Sequence, residues 1–132
     1  MDTSVKVLIV DDSEIVVERL SAIVSEINCK KPVLISNTFQ QALELIILEE
    51  PQIVLLDIRL SNDSGIDLLR YIRQHYPGIK TIVVTNRAST YYRKLCIASG
   101  ADGFIDKSTE FENIPPMIQS FFPAAMATQY PN

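Results

Sequence analysis

Polar residues that follow apolar runs are the side chains best placed to do chemistry in this 132-residue sequence. Four such runs end, in chain order, in Asp11 and Asp12, in Asp57, in Thr85, and in Asp106 and Lys107. Carboxylates gathered at one edge of a sheet repel one another, and partial burial disfavours their charged form, so they need a cation. Oxygen ligands favour a hard ion such as Mg²⁺, which also accepts phosphate oxygens. The residue types therefore predict a site for a divalent cation and a phosphoryl group.

Asp57 is the best candidate for a nucleophile, because it ends the central apolar run alone. A carboxylate can attack phosphorus and form an aspartyl phosphate once a metal ion and an ammonium group neutralise the incoming charge. Lys107 is the candidate ammonium. Each residue also has an ordinary alternative, since adjacent aspartates often cap a helix and a lysine is usually solvated. The whole set, in that order at the ends of four of the five runs, favours phosphoryl chemistry.

The apolar runs themselves are strand candidates rich in β-branched residues. They span Val5 to Val10, Pro32 to Ser36, Ile53 to Leu56 and Thr81 to Val84, with a weaker run around Phe104 and Ile105. Three of them are apolar at consecutive positions, which is typical of parallel strands covered on both faces. Ligands of such sheets bind beyond the carboxyl ends of the strands, where the polar residues fall.

Segments with helical spacing alternate with the strand candidates. Their apolar stripes include Ile15, Leu20 and Ile23, then Phe39, Leu43 and Ile46, then Ile66, Leu69 and Ile72, then an irregular segment around Tyr91 to Ser99. A fifth helix is expected to begin near Pro115, because proline suits the first helical turn. Five strand–helix units predict an α/β three-layer sandwich with helices on both faces of a parallel sheet. We expect one domain over residues 1–122 and a flexible tail over 123–132.

Composition argues against several classes of protein. A formal net charge of -4 disfavours direct binding of nucleic acid. No apolar run reaches about 18 residues and the start lacks a signal peptide, so the sequence predicts no membrane segment and a cytoplasmic location. Cys29 and Cys96 lie far apart, each in a helix-like or helix-end segment, and are expected to be reduced thiols.

Four motifs together resemble the receiver domain of two-component response regulators, the family of the chemotaxis protein CheY. They are Leu-Ile-Val-Asp11-Asp12-Ser, Ile-Val-Leu-Leu-Asp57-Ile-Arg-Leu with Gly65 eight residues after Asp57, Val-Val-Thr85, and Gly100-Ala-Asp-Gly103-Phe104-Ile-Asp-Lys107. The resemblance runs from about Val5 to Phe122. It implies a flavodoxin-like, five-stranded sheet of order 2-1-3-4-5.

The resemblance also implies roles for individual residues. Asp57 would accept a phosphoryl group from a phosphohistidine of a sensor histidine kinase or phosphotransfer protein. The implied Mg²⁺ ligands are Asp11, Asp12, Asp57 and the backbone carbonyl of Arg59. Thr85 matches the switch hydroxyl, Lys107 the ammonium that pairs with the phosphoryl group, and Phe104 the aromatic residue that turns inward. Such a protein is a regulatory phosphoacceptor that catalyses only its own phosphotransfer and dephosphorylation, and is not otherwise an enzyme.

Partners are implied at one surface, formed by the fourth helix, fifth strand and fifth helix. A downstream protein or a second copy of the chain would bind there, and Tyr92, Met117, Phe121 and Phe122 could form an apolar patch, although a core role is the ordinary expectation. The stretch after Lys107 has room for one helix and a tail, so no output domain is expected. A trimmed transcription regulator remains an alternative, because the pattern from Phe104 to Pro116 resembles receivers that precede helix-turn-helix modules.

Two other classes of protein are alternatives, and a third alternative keeps the receiver family but not the phosphoryl chemistry. A haloacid-dehalogenase-type phosphatase would need Asp-x-Asp after the first strand, whereas Asp11 and Asp12 are adjacent. A flavodoxin-like electron carrier would need a phosphate cradle that the first loop lacks. A pseudo-receiver that binds partners without phosphorylation is favoured by Asn86, which is larger than the usual residue after the switch hydroxyl.

Arg59 and Arg87 lie two residues after Asp57 and Thr85. They either flank the phosphoryl group and change its lifetime or are simply solvated.

Overall fold

A computed structural model describes residues 4–59, 65–86 and 88–125. The strands are β1 (Val7–Val10), β2 (Leu34–Ser36), β3 (Ile53–Leu56), β4 (Lys80–Thr85) and β5 (Gly103–Asp106). The helices are α1 (Glu14–Val24), α2 (Phe39–Glu49), α3 (Gly65–His75), α4 (Thr90–Ala98) and α5 (Ile114–Phe121). Short 3₁₀ turns span Phe111–Asn113 and Pro123–Ala125. The rest of the predicted tail, residues 126–132, lies outside the described residues.

The five strands form one parallel sheet in the order β2-β1-β3-β4-β5. This confirms both the α/β class and the strand order that the resemblance implied. Every residue of β1 and β3 is buried, as expected for strands whose consecutive apolar side chains face helices on both sides. Because all strands run the same way, their carboxyl ends meet at one edge.

Two apolar clusters cover the two faces of the sheet. On one face α1 and α5 supply Leu20, Val24, Ile114 and Ile118. On the other face α2, α3 and α4 supply Ala42, Ile46, Leu68, Leu69, Ile72 and Cys96. The sandwich therefore has three layers, with the sheet between two layers of helices. The polar groups at the carboxyl ends of the strands lie at the edge of this packed core.

The element boundaries differ from the sequence prediction in small ways. β1 begins at Val7, since Val5 forms only an isolated bridge to Cys29. Cys29 therefore lies outside any helix, contrary to the prediction, although it and Cys96 are free thiols as expected. Burial raises the pKa of Cys96 to about 11, which makes it a poor nucleophile.

One prediction about the apolar surface of a helix was wrong. The sequence places Ile15 in the buried stripe of the first helix, but Ile15 is 80% exposed, because it lies on the side of α1 away from the buried Leu20 and Val24. The residues suggested for an apolar patch are partly buried and pack against the two core clusters, in line with the ordinary expectation of a core role. These residues are Tyr92, Met117, Phe121 and Phe122. The fifth helix does begin as expected, at Ile114, with Pro115 in its first turn.

Within the described residues, no helix combines the length and the apolar character needed to cross a bilayer.

Gly65 fixes how α3 meets the edge of the sheet where the strands have their carboxyl ends. A Cβ atom added there would come within 2.7 Å of the Asp57 carbonyl oxygen and would collide with the backbone of Ile58. Backbone atoms cannot yield as a flexible side chain can, so we expect Gly65→Ala to lower the free energy of unfolding by about 1–3 kcal/mol. The matched control is Gly78→Ala, since an added Cβ there meets nothing within 4 Å. Urea denaturation of both variants checks this, and equal stabilities would contradict it.

Candidate functional site

Three carboxylates converge where β1 and β3 end. Asp11 and Asp12 follow β1, Asp57 follows β3, and one carboxylate oxygen from each lies within 4.8 Å of the others. Asp11 and Asp57 are only 2% and 6% exposed, whereas Asp12 is exposed. The sequence prediction that these three side chains meet at one edge is therefore matched by the geometry.

Lys107 brings a positive charge into this cluster. Its Nζ lies 2.8 Å from Asp11 Oδ2 and 2.9 Å from Asp57 Oδ2, and its side chain is 10% exposed. The loop after β5 is held in place by the Lys107 N–H, which donates to the Thr85 carbonyl at 3.0 Å. One ammonium thus bridges two nearly buried carboxylates.

The remaining oxygens of Asp11 and Asp57 face the backbone of the turns that follow them. Asp11 Oδ1 accepts the N–H of Ser13, and Asp57 Oδ1 accepts the N–H of Arg59, both at 2.9 Å. The helix cap of α1 is Ser13, whose hydroxyl accepts the N–H of Val16. The capping interpretation of the two adjacent aspartates is therefore not needed, and their side chains point to the cluster.

Burial and pairing act in opposite directions on the charges. Burial raises the pKa of Asp11 above its ordinary value, although the hydrogen bonds from Lys107 and Ser13 lower it in part. Burial lowers the pKa of Lys107, but its hydrogen bonds and charge interactions with Asp11 and Asp57 outweigh this effect, so the pKa is raised. The ammonium is therefore fixed in its charged form, while the ionised carboxylate of Asp11 remains costly.

The raised pKa of Asp11 predicts a specific pH dependence in metal-free buffer. The folded protein holds this proton more tightly than the unfolded chain, so protonation favours folding. Relative to Asp11→Asn, the wild type should gain stability as pH falls through the raised pKa, down to about pH 4, where the unfolded chain also takes up its proton. Urea denaturation at several pH values measures the difference. Exposed Asp67 supplies the control, Asp67→Asn, and parallel curves for wild type and Asp11→Asn would contradict the prediction.

A pocket of about 270 Å³ opens above the cluster. It is lined by Asp12, Asp57, Arg59, Asn86 and Lys107. Asn86 lines this pocket and is exposed. It is the residue whose size favours the pseudo-receiver alternative. Arg59 is also at the pocket, whereas Arg87 lies outside the described residues.

Thr85 and Phe104 lie on the neighbouring strands β4 and β5. Thr85 ends β4 and is fully buried, and Phe104 in β5 is 6% exposed. Side chains alternate along a strand, so Thr85 shares the sheet face of Val83, which packs in the same cluster as Phe104. The aromatic ring therefore already occupies a buried position, on the face covered by α2, α3 and α4.

Two polar residues near Phe104 were missed by the sequence reasoning. The Arg93 guanidinium lies over the Phe104 ring, 4.5 Å from its centroid, and Arg93 pairs with Glu110. Glu110 Oε1 also accepts the N–H of Asp106 at 2.8 Å. Arg93 and Glu110 are far apart in the chain, so no helical or strand spacing could have linked them.

The donor set of the cluster fits a hard divalent cation. Asp11, Asp12 and Asp57 offer only carboxylate oxygens, and Lys107 balances only part of their charge. Oxygen ligands with one exposed member suit Mg²⁺, which keeps several waters in protein sites.

Comparison with known proteins gives a consistent result. A family model described as the response regulator receiver domain matches residues 7–119. The chain is 25% identical over 118 residues to the response regulator GacA of Pseudomonas aeruginosa, covering 89% of this chain and 55% of that protein. It is 26% identical over 116 residues to the transcriptional regulatory protein MctR of Rhizobium johnstonii, covering 88% of this chain and 54% of that protein.

A solved structure has the same fold. The BeF3-activated receiver domain of Klebsiella pneumoniae RstA superposes with a TM-score of 0.80 at 26% identity, covering 89% of this chain and 97% of that one. The chain spans only about half the length of the two full-length relatives.

Proposed function

This chain belongs to the response regulator receiver domain family of two-component systems, and from that premise we propose that it is a switch whose phosphoacceptor is Asp57. The observation that carries the proposal is the bridge of Lys107 between Asp11 and Asp57 at the mouth of a polar pocket. A carboxylate held beside an ammonium, two further carboxylates and room for a ligand has the parts that phosphoryl transfer requires.

The transfer step exchanges one bond to phosphorus for another. A carboxylate oxygen of Asp57 forms a bond to phosphorus, and the bond from phosphorus to the imidazole nitrogen of the donor phosphohistidine breaks. The bonding pair leaves with the imidazole, which becomes a neutral histidine after protonation from solvent. Lys107 stabilises the charge on the phosphoryl oxygens from the position it holds beside Asp57. The backbone N–H of Arg59 fixes the orientation of the carboxylate.

Asp11, Asp12 and Asp57, with the backbone carbonyl of Arg59, would hold Mg²⁺ in this proposal. The ion supplies positive charge that offsets the carboxylates and the phosphoryl oxygens. Asp11 orients the set, because one of its oxygens is fixed by the Ser13 N–H and the other by Lys107.

The switch consists of Thr85 and Phe104. A phosphoryl group adds about two negative charges beside a hydroxyl and an ammonium, which can bias a two-state element. Thr85 would bond a phosphoryl oxygen, and Phe104 would link this movement to α4, β5 and α5. That surface would bind a downstream protein or a second copy, and a sensor histidine kinase or phosphotransfer protein in the cytoplasm would supply the phosphoryl group. The protein would thus act as a phosphoacceptor with no separate substrate to turn over.

A second candidate is the receiver part of a DNA-binding regulator. It is favoured by the relative named as a transcriptional regulatory protein, of which this chain spans 54%. In that case nucleic-acid contacts would belong to another segment, since the net charge here is -4.

Acetyl phosphate tests the proposed function without a kinase. Incubation with Mg²⁺ should add one phosphoryl mass to the intact protein, labile to hydroxylamine as an acyl phosphate is, and chelation of Mg²⁺ should suppress it. An unmodified protein under conditions that label an established receiver would favour the pseudo-receiver alternative instead. A label stable to hydroxylamine would contradict an aspartyl phosphate.

A further inference from the structure

Arg93 contacts the Phe104 ring and also Glu110, which follows Lys107 in the loop after β5. Both the ring and this loop belong to the proposed switch. Its guanidinium carbon is 4.5 Å from the ring centroid, within the range of a cation–π interaction. Its Nη2 is 3.4 Å from Glu110 Oε1. A single planar group on α4 therefore covers the aromatic ring and pairs with a carboxylate after β5.

Glu110 continues this link to the backbone of the Lys107 loop. The same Oε1 accepts the N–H of Asp106 at 2.8 Å, and the Glu110 N–H donates to the Asp106 carbonyl at 2.9 Å. Asp106 directly precedes Lys107, whose Nζ contacts Asp11 and Asp57. A continuous series of contacts thus joins α4 to the carboxylate cluster.

We propose that Arg93, Glu110 and Phe104 form a latch, in which Arg93 holds the Phe104 ring in its buried position before any phosphoryl group arrives. The ring is 6% exposed, and the guanidinium covers the side that α4 presents to it. This inference rests on the proposed function, because it concerns how the same site is coupled to its partner surface. Arg93 is a positioning residue here, since its described contacts are with Phe104 and Glu110 and it does not line the pocket.

The latch has a thermodynamic consequence at the phosphoryl site. If the buried ring and an occupied site favour each other, then loss of the latch weakens occupancy by at most the factor by which it shifts the ring equilibrium. The Arg93 and Glu110 side chains are 42% and 31% exposed, so solvent screens their attraction. A cation–π contact at such a site corresponds to a shift of about twofold to fivefold in the equilibrium.

Fluorine NMR of the full chain labelled with 4-fluorophenylalanine tests the latch without a phosphoryl group. The chain has five phenylalanines, and Phe104→Leu assigns the resonance of interest. In Arg93→Ala we expect this resonance to move toward the frequency of the free amino acid and to gain a larger solvent-isotope shift. Glu110→Gln should cause a smaller change in the same direction. Lys94→Ala is the matched control, since it removes the same charge from an exposed position on α4 and should leave the resonance in place.

Beryllofluoride with Mg²⁺ provides the second readout. Arg93→Ala should weaken its binding by no more than about fivefold, whereas Lys94→Ala should not weaken it. An unchanged Phe104 resonance in Arg93→Ala, or an equal change in Lys94→Ala, would overturn the latch. The Phe104 resonance is measured without beryllofluoride, so it alone decides whether the latch exists. Failure of the wild type to bind beryllofluoride would instead count against the proposed function.

Discussion

Asp57→Asn should abolish phosphoryl incorporation from acetyl phosphate, with no labelled protein detected by intact mass. Asparagine keeps the size of the side chain but replaces the nucleophilic oxygen pair with an amide, which cannot form the acyl phosphate. No other residue should replace Asp57. Asp57 lines the pocket above the cluster and Asp11 does not, while Asp12 is exposed on the outer side of the cluster.

Two further variants separate the roles of the carboxylates. Asp12→Asn should slow labelling and raise the Mg²⁺ concentration that it requires, because it removes an oxygen ligand but leaves the nucleophile. Asp67→Asn, an exposed carboxylate in the first turn of α3, should label like the wild type. Full labelling of Asp57→Asn at another residue would contradict the assignment of the phosphoacceptor.

Lys107→Ala should cause the largest loss of stability at the site, about 3–5 kcal/mol in metal-free buffer. The substitution leaves two nearly buried carboxylates, Asp11 and Asp57, without the ammonium that bridges them. Burial already raises the pKa of Asp11, and removal of Lys107 would raise it further. Mg²⁺ should restore part of the loss and should stabilise this variant more than the wild type, because it then takes over the neutralisation that the Lys107 ammonium provides to Asp11 and Asp57.

Lys80→Ala is the matched control for this prediction. Lys80 makes a 4.0 Å ion pair with Asp102 at the opposite end of the sheet, where both side chains are more exposed. Removal of such an exposed pair should cost at most about 1 kcal/mol, with no response to Mg²⁺. Urea denaturation of both variants with and without Mg²⁺ measures the difference. Equal losses of unfolding free energy in the two variants, or the absence of any Mg²⁺ effect in Lys107→Ala, would contradict the prediction. Lys107 would then not compensate the buried charges of Asp11 and Asp57.

Much of the site could be predicted because it depends on topology. Consecutive apolar residues indicated parallel strands, and parallel strands bring their carboxyl ends to one edge whatever the details of packing. Asp11, Asp57 and Lys107 could therefore be placed together without any knowledge of their rotamers. The glycine eight residues after Asp57 was recognised as part of a motif, and the structure supplies the physical reason, since any Cβ there would meet the backbone of residues 57 and 58.

Features that depend on side-chain packing could not be predicted. Ile15 is an exception, because the helical period itself places it on the side of α1 away from the buried Leu20 and Val24, so its exposure could have been predicted. Ser13, rather than an aspartate, caps α1, and the sequence alone does not distinguish these neighbouring capping residues. The contacts of Arg93 with Phe104 and Glu110 join residues of α4, β5 and the following loop through rotamers that no spacing rule encodes.

The most direct test of the proposed chemistry is a crystal structure determined after soaking with magnesium and beryllofluoride. We predict an ion bound among Asp11, Asp12 and Asp57, a beryllofluoride group on the Asp57 carboxylate, and the Lys107 ammonium in contact with a fluorine. Density for either group at another location, or a carboxylate cluster that stays empty at saturating concentrations, would contradict the assignment.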